Sequence, residues 1–399
     1  MENNKKKNLA IIIPTLRGGG AERVASKLSF YLSEKKYNRY IILYDAEKKE
    51  YPYKGNLIDL NIKAINNPLG KIFNLIRRIY KLKRIKKKLH IQISISFLET
   101  ANIVNIFTKA EDKIILSIRN FKSKSSKGFY GKVYNYLIKI FYNRADIFVV
   151  VSKGVREDLI KNYGIKENKI KIIYNLYDLE KIQNLAKEEI EDKYKRIFNN
   201  PVIINVGRLT KQKGQWHLIR AFKKVKEKIT NIRLVILGQG ELDGYLKKIV
   251  EELNLNKDVY FLGFLKNPFK FISKSTMFVF PSLFEGFPNA LVEAMACGIP
   301  VISSDCKSGP REILAPKTDL KIETGTIEYA KYGILIPVCD DNYYNAKFPL
   351  TTEEMILAKS IIDLYSCREL LENYTHKAKE RVKDFDKNKI ILQYENILK

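Results

Sequence analysis

The stretch that decides the fold runs from Phe280 to Pro300 and reads FPSLFEGFPNALVEAMACGIP. A short apolar run, Met277 to Phe280, enters a turn marked by Pro and Gly. An apolar run with helical spacing follows and stops at Gly298. This order predicts a strand, a loop and a helix, with Asn289 as the N-cap of the helix.

Two carboxylates stand in this stretch, one in the predicted loop and one in the predicted helix. Glu285 precedes the helix and Glu293 lies one turn into it, so both side chains can point toward the carboxyl end of the strand. Open α/β sheets bind ligands at that edge. Two acids alone could also be a solvated loop residue and a helix-end charge, so the rest of the chain must decide.

The run GFPNALVEAMACGIPVISSD with its two glutamates resembles the nucleotide-sugar signature of the retaining glycosyltransferases of family 4. The resemblance implies an α/β chain of the GT-B fold, with two facing Rossmann-like domains, parallel sheets and an interdomain cleft. It implies that Glu285 lies against the donor sugar and that Glu293 binds the ribose hydroxyls. A carboxylate suits both roles because it only accepts hydrogen bonds.

The loop before the helix is a candidate anion site. Its backbone N–H groups, with the helix N-terminus behind them, would bind the diphosphate of a nucleotide sugar. The resemblance implies that five residues of this segment bind the nucleotide sugar: Gly286, Phe287, Pro288, Asn289 and Ala290.

Two cations follow the predicted strand Val202 to Val206, in the sequence GRLTKQKGQ. Arg208 and Lys213 reproduce the family spacing R-x-x-x-x-K-G, whose cations contact the donor diphosphate. With Glu285 they are the predicted catalytic residues, because cations stabilise the charge that leaves with the diphosphate. Taken alone, the pair could be two surface cations.

Glycines at other strand ends allow a ligand to approach the backbone closely. The resemblance places Gly19 and Gly20 near the donor diphosphate and the incoming acceptor, with a tight structural turn as the alternative. Gly238 and Gly263 are predicted to line the nucleotide site.

The predicted acceptor residues are Arg119 and Asn120, which follow the strand Lys113 to Ile118. Many family members carry a His near this position. Arg119 indicates a different contact, such as an acceptor phosphate, because a guanidinium matches phosphate geometry.

The chain has 399 residues, of which 45% are hydrophobic, so it can bury more than one core. We predict an N-terminal Rossmann-like acceptor domain at residues 1–178 and a nucleotide-sugar-binding domain at residues 179–375. Residues 376–399 are expected to be a helix that crosses back to the first domain. The charged stretch from Asp178 to Asn199 is the expected hinge.

Cysteine and histidine usage favours neither a disulfide framework nor a zinc site. The 4 Cys are scattered without CxxC spacing, and there are 3 His. We therefore expect a reduced, cytoplasmic chain. The resemblance implies that the enzyme needs no metal and no cofactor, because cations and helix dipoles can take the charge that leaves with the diphosphate. The N-terminal apolar core is too short for a signal peptide or a membrane span.

The net charge of +28 is concentrated in one half of the chain. Through Leu176 there are 37 Lys and Arg against 14 Asp and Glu, a net of +23, which leaves +5 for the rest. Such an excess attracts nucleic acid or an anionic membrane. An AT-rich genome would raise the lysine content, but would not by itself concentrate it in one half.

The segment from Lys71 to His90 has nine Lys and Arg, no acid and apolar residues at helical spacing. It predicts a basic amphipathic helix on an anionic bilayer. The alternative is a covering helix that packs on the sheet, and one helix can do both. The segment from Phe121 to Arg144, with six basic and seven aromatic residues, suits a membrane, an acceptor or single-stranded nucleic acid. The cations expected at the membrane are Lys81, Lys83, Arg84, Lys86, Lys87 and Lys88.

The sequence DCKSGPREIL, from Asp305 to Leu314, resembles a bacterial subgroup that adds sugars to lipid-linked oligosaccharides. The resemblance thus implies a retaining hexosyl- or N-acetylhexosaminyltransferase with a UDP-sugar donor and a lipid-linked saccharide acceptor. It would make surface polysaccharide or glycan at the inner face of the plasma membrane. Two alternatives are a non-hydrolysing UDP-sugar epimerase of the same architecture, which needs no acceptor, and a basic nucleic-acid-binding protein. No nucleic-acid partner is expected.

Overall fold

The computed structural model describes residues 6–47, 49–65, 67–119 and 140–399. The chain divides into two compact units, one of Met1–Leu176 with Lys387–Lys399 and one of Tyr177–Asp386. The division therefore lies close to the predicted boundary at residue 178. Residues 376–386, which were expected in the returning helix, belong to the second unit.

The first unit is built on a seven-stranded sheet. Its strands are β1 (Lys7–Ile13), β2 (Tyr37–Leu43), β3 (Asn56–Asp59), β4 (Ile93–Phe97), β5 (Lys113–Ile118), β6 (Ile147–Val150) and β7 (Ile170–Ile172). Their order is β3-β2-β1-β4-β5-β6-β7, and all neighbouring pairs are parallel.

Helices cover both faces of this sheet. They are α1 (Gly20–Tyr31), α2 (Pro68–Lys88), α3 (Glu99–Phe107), α4 (Lys153–Tyr163) and, at the end of the chain, α14 (Lys387–Ile397). Leu9 and Ile11 of β1 pack in one core with α1 and α14, whereas Ala10 and Ile12 pack in another with Leu82 of α2. Because both faces are buried, β1 is a continuous apolar run and not an alternating one.

The second unit has its own seven-stranded sheet. Its strands are β8 (Val202–Val206), β9 (Arg233–Leu237), β10 (Val259–Gly263), β11 (Met277–Phe280), β12 (Val301–Ser304), β13 (Glu328–Ala330) and β14 (Gly333–Ile336). The order is β10-β9-β8-β11-β12-β14-β13. All neighbours are parallel except β13, which pairs antiparallel with β14 at the edge.

The helices of the second unit complete a doubly wound α/β architecture. They are α5 (Leu179–Ala186), α6 (Asp192–Phe198), α7 (Gln215–Lys228), α8 (Asp243–Glu252), α9 (Phe269–Ile272), α10 (Asn289–Ala296), α11 (Pro310–Leu314), α12 (Thr352–Ser366) and α13 (Arg368–Val382).

The stretch predicted as a hinge, Asp178 to Asn199, contains the two helices α5 and α6 and belongs to the second unit. Asp178 caps α5 by accepting a hydrogen bond from a backbone N–H of its first turn. The rings of Tyr194 and Phe198 lie 5.5 and 5.7 Å from that of Phe271. The charges in this stretch are the solvated faces of two short amphipathic helices.

The prediction that Lys86 faces a membrane is wrong, because its side chain points into the first unit. Its Nζ lies 2.7 Å from Asp112 Oδ2 and donates to Asn105 Oδ1, also at 2.7 Å. The two charged side chains are 2% and 1% exposed. Lys86 therefore cannot face a membrane. Lys81 is half-buried, and its Nζ donates to the carbonyl oxygen of Leu60 at 2.7 Å. The other four predicted cations are exposed as expected: Lys83, Arg84, Lys87 and Lys88.

Within the described ranges, the chain has no helix with both the length and the apolar character needed to cross a membrane.

Candidate functional site

The predicted donor residues of the second unit lie on loops that follow neighbouring strands. Because β8, β9, β10 and β11 are adjacent and parallel, their carboxyl ends share one edge of the sheet. Arg208 and Lys213 follow β8, Gly238 follows β9, Gly263 ends β10 and Glu285 follows β11. The fold thus brings residues distant in sequence to one edge.

Lys213 and Glu285 form an ion pair at this edge. Lys213 Nζ donates to Glu285 Oε1 at 2.5 Å, and it lies 5.0 Å from the centroid of the Phe280 ring. The lysine side chain is 15% exposed and the glutamate side chain 7%. The thiol of Cys306 lies in the same surroundings: burial raises its pKa, and the negative charge of Glu285 adds to that shift.

The backbone of the two loops holds this pair together. Lys213 ends a 3₁₀ turn, and Gly214 after it has φ 61°. A Cβ at Gly214 would lie 2.5 Å from the carbonyl oxygen of Pro281, so only glycine fits this approach. Gln212 Nε2 donates to the carbonyl oxygen of Phe284 at 2.8 Å. Lys213 is therefore positioned by its loop before any ligand binds.

The glycines of the neighbouring loops pack against backbone. A Cβ at Gly238 would lie 1.8 Å from the carbonyl oxygen of Gly207, and the N–H of Gly238 donates to the carbonyl of Gly263 at 2.9 Å. Close packing of the loops after β8 and β9 is thus sufficient reason for Gly238, whereas Gly263 has space for a Cβ but a left-handed φ of 71° that favours glycine. Arg208 is exposed, and Gln215 Nε2 donates to its carbonyl oxygen at 3.1 Å. Nucleotide contacts of these residues stay predictions.

The predicted helix after Glu285 is present as α10, but its cap differs from the prediction. Pro288 is the N-cap, and Asn289 is the first helical residue. The side chain of Asn289 does not cap the helix, because its Oδ1 accepts a hydrogen bond from the Tyr177 hydroxyl at 2.5 Å. Glu293 is buried one turn into α10. Burial raises the pKa of the Cys297 thiol, and the charge of Glu293 adds to that shift.

The loop after β12 supports the candidate anion loop, a role that the sequence analysis missed. Ser308, at φ 74°, donates from Oγ to the carbonyl oxygen of Gly286 at 2.8 Å. A Cβ at Gly309 would lie 2.4 Å from Cδ of Pro288. Phe287 is buried and packs edge-on against Phe385 at 5.6 Å. The sequence signal for this loop is the Ser-Gly-Pro in DCKSGPREIL. It predicts a turn, but it does not predict that the turn contacts the loop before α10.

Arg311 anchors that supporting loop from behind. It lies 2.5 Å from Asp305 Oδ2 and 2.7 Å from Glu328 Oε2. Burial raises the pKa of Asp305, and the hydrogen bond from Arg311 opposes that shift. Hydrogen bonding to Arg311 lowers the pKa of Glu328.

Ala290, the last residue predicted to contact the donor, is half-buried in the first turn of α10.

In the first unit, Gly19 and Gly20 begin α1 as its N-cap and first helical residue. The carboxylate of Glu22 folds back on them, since a Cβ at Gly19 would lie 2.1 Å from Glu22 Oε2. Burial raises the pKa of Glu22. An anion that bound this helix N-terminus would have to displace Glu22.

Arg119 follows β5, and its guanidinium donates to Ser117 Oγ at 3.1 Å. Its partner in the predicted acceptor site, Asn120, lies outside the described residues, as does most of the basic and aromatic segment from residue 121 to 144. Among the residues that the structure does describe, no group of three or more His, Cys, Asp or Glu could hold a metal ion.

Two family models match consecutive parts of the chain. The model named Glycosyltransferase Family 4 matches residues 18–181, and the model named Glycosyl transferases group 1 matches residues 186–334. An uncharacterised glycosyltransferase of Methanocaldococcus jannaschii is 38% identical over 412 residues, covering 99% of each chain. The chain belongs to glycosyltransferase family 4. This membership favours the transferase over the epimerase and nucleic-acid alternatives.

A second relative of this glycosyltransferase comes from Campylobacter jejuni. It is N-acetylgalactosamine-N,N'-diacetylbacillosaminyl-diphospho-undecaprenol 4-alpha-N-acetylgalactosaminyltransferase. The two sequences are 34% identical over 390 residues, which is 96% of each chain.

Solved structures share the fold of this glycosyltransferase. Anabaena HepE in complex with UDP and glucose has a TM-score of 0.74 at 18% identity, over 98% of this chain and 99% of that one. Sucrose-phosphate synthase from Thermosynechococcus elongatus has the same TM-score and identity, over 98% of each chain. These likenesses confirm the GT-B fold class that the sequence resemblance implied.

Proposed function

We propose that this glycosyltransferase moves a sugar from a UDP donor to a lipid-linked saccharide, with retention of anomeric configuration, in the synthesis of a surface polysaccharide or glycan. The observation that carries the proposal is the Lys213–Glu285 pair, which lies at the carboxyl edge of the second sheet with the lysine side chain 15% and the glutamate side chain 7% exposed. Ligands of open α/β sheets bind at this edge.

The donor would bind by exchanging partners with this ion pair. A diphosphate competes with Glu285 for the ammonium group of Lys213, because charge-assisted hydrogen bonds to phosphate are strong. Glu285 is then released to accept hydrogen bonds from the sugar hydroxyls. Glu293, on α10, would accept from the ribose hydroxyls.

The departing diphosphate would be stabilised by cations and backbone dipoles. Lys213 and Arg208 would take the developing negative charge, and the N–H groups at the start of α10 would add to them. No pair of carboxylates is assigned to a double displacement. Attack from the same face, with the leaving phosphate as base, would give retention. In this proposal the reaction needs no metal ion.

The acceptor proposal combines the charge of the first unit with the identity of a relative. The Campylobacter jejuni enzyme is named for an acceptor carried on diphospho-undecaprenol. Residues through Leu176 carry a net charge of +23, which suits both a diphosphate-linked lipid and the anionic surface of its membrane. Arg119 and Asn120 keep their predicted roles toward the acceptor, and Gly19 and Gly20 keep theirs toward the donor diphosphate and the incoming acceptor.

A two-stage experiment tests the function. Thermal shift is first measured with UDP-, GDP- and ADP-linked sugars, and UDP-sugars are expected to raise the melting temperature most. The best donor is then incubated with and without polyprenyl-diphosphate-linked saccharides. Transfer to the lipid is the expected result. Stabilisation by GDP- or ADP-sugars alone contradicts the donor, and transfer only to a water-soluble saccharide contradicts the acceptor.

A pair of variants ties the result to the site. Glu285→Gln should abolish transfer while Glu369→Gln, an isosteric change at an exposed helix residue, should leave it unchanged. Equal activity of the two variants would remove Glu285 from the site.

A further inference from the structure

A tyrosine distant in sequence holds the segment of residues 286–290, which we call the proposed donor loop. The hydroxyl of Tyr177 donates to Oδ1 of Asn289, 112 residues later, at 2.5 Å. Asn289 is the first residue of α10, and the N-cap before it, Pro288, makes no side-chain cap. The hydrogen bond from Tyr177 therefore fixes the Asn289 side chain at the start of the helix.

Tyr177 is held in place by contacts other than the one to Asn289. Its side chain is buried, and its backbone N–H donates to the carbonyl oxygen of Phe385 at 2.9 Å. It also forms a parallel β-bridge with Asp386. Its ring packs edge-on against that of Phe385, with 6.5 Å between the ring centroids. The hydroxyl is thus presented by a support whose position does not depend on Asn289.

The same support contacts the proposed donor loop at a second residue. The ring of Phe385 is fully buried and packs edge-on against that of Phe287, with 5.6 Å between the centroids. Tyr177 and Asp386 are the first and last residues of the second unit. The two ends of that unit are therefore joined at the point where they support Phe287 and Asn289.

The hydrogen bond to Tyr177 decides which group the Asn289 side chain can serve. The first N–H groups of a helix have no partner within the helix, and in the proposed function those of α10 bind the diphosphate. Asn side chains readily accept hydrogen bonds from such N–H groups. With its Oδ1 bonded to Tyr177, Asn289 leaves these N–H groups to the diphosphate.

We propose that Tyr177 is a positioning residue for the donor, because its hydroxyl holds the Asn289 side chain away from the first N–H groups of α10. This inference rests on the proposed function, in which those groups bind the diphosphate. Tyr177 acts through Asn289 and does not contact the donor, whereas Lys213 would bind the diphosphate directly.

The experiment is a double-mutant cycle, measured by calorimetric titration with UDP and with uridine. Tyr177→Phe removes only the hydroxyl and should weaken UDP binding by about fivefold, as expected for one hydrogen bond. Uridine has no phosphate, so its affinity should be unchanged. In the Asn289→Ala background, Tyr177→Phe should not change the affinity for UDP, because the side chain that the hydroxyl holds is absent.

Tyr374→Phe is the matched control. Tyr374 is also buried, and its hydroxyl donates to the carbonyl oxygen of Ala330 on β13 at 3.0 Å, not to the proposed donor loop. Both tyrosine variants lose one buried hydrogen bond, so melting curves without ligand should show similar, small losses of stability. The control should keep the wild-type affinity for UDP.

Four results would overturn the inference. Tyr177→Phe could bind UDP like the wild type, or it could lose affinity for UDP and uridine by the same factor. It could weaken UDP binding equally with and without the Asn289 side chain, or Tyr374→Phe could weaken UDP binding as much.

The wild type separates this inference from the proposed function. A wild type that binds UDP no more tightly than uridine contradicts the donor proposal and the inference with it. Tight binding of UDP by the wild type, together with an unaffected Tyr177→Phe, rejects the inference alone and leaves the donor proposal standing.

Discussion

Each unit contains a buried lysine–carboxylate pair, and the two pairs differ in what surrounds them. Lys86 and Asp112 in the first unit are 2% and 1% exposed, and Ser94 and Asn105 complete their hydrogen bonds. Lys213 and Glu285 in the second unit are 15% and 7% exposed and lie at the carboxyl ends of parallel strands. The lysine–carboxylate distances are similar, 2.7 and 2.5 Å.

The difference shows that location and access, more than ion-pair distance, separate a structural pair from a candidate functional one. The Lys86 pair is enclosed by polar groups of β4 and α3 and has no room for another partner. Burial lowers the pKa of Lys86, and Asp112 opposes that shift. The Lys213 pair is less completely buried and lies at the sheet edge where open α/β proteins bind ligands, so in the proposed function a diphosphate replaces Glu285 as the partner of Lys213.

The largest expected effect is on folding of the first unit. Lys86→Met leaves Asp112 buried without a counter-charge and should lower the free energy of unfolding by about 3–5 kcal/mol. Lys87→Met, at the exposed neighbouring position, should change it by less than about 0.5 kcal/mol. Urea denaturation measures both. Equal stability of the two variants would show that Lys86 is not a structural cation.

The next effect is on catalysis in the second unit. Glu285→Gln keeps the size of the side chain and should change the unfolding free energy little, but should lower kcat by about 100-fold or more if Glu285 acts in the transition state. The measurement is the initial rate of transfer with the best UDP-sugar, alongside a melting curve. A fully active variant, or one that melts far below the wild type, would contradict the contrast between the two pairs.

The smallest effect tests whether the first pair is a closed network. Ser94 Oγ donates to Asp112 Oδ2 at 2.5 Å. Ser94→Ala should therefore cost about 1–2 kcal/mol of stability without changing the affinity for UDP. Urea denaturation and calorimetric titration with UDP distinguish the two quantities. A changed UDP affinity would mean that this network communicates with the donor site.

The regular elements could be predicted from the sequence where local patterns decide the structure. The strands Lys113–Ile118 and Val202–Val206 have the bounds that their apolar runs indicate. The loops proposed to bind the donor could also be placed along the chain, since each lies between a buried strand and a helix; their contacts with a donor stay predictions. Packing over longer distances could not be predicted, because it depends on residues far apart in the chain.

Two errors share that cause. Lys86 reads as one cation in a basic run, and its partner Asp112 comes 26 residues later. Asn289 reads as an N-cap, but Tyr177, 112 residues earlier, binds its side chain. The stretch from 340 to 349 depends on distant residues in the same way. It is held to α7 by side chains, including that of Trp216, which donates to the carbonyl oxygen of Asn342 at 3.0 Å.

The most direct test of the central claim is calorimetric titration of wild type and Lys213→Ala with UDP and with uridine. If Lys213 leaves Glu285 to bind the diphosphate, the variant should lose about 10- to 100-fold in affinity for UDP, as expected for a charge-assisted hydrogen bond. Its affinity for uridine, which has no phosphate, should be unchanged. A variant with the same ratio of UDP to uridine affinity as the wild type would contradict the claim that the Lys213–Glu285 pair is the donor site.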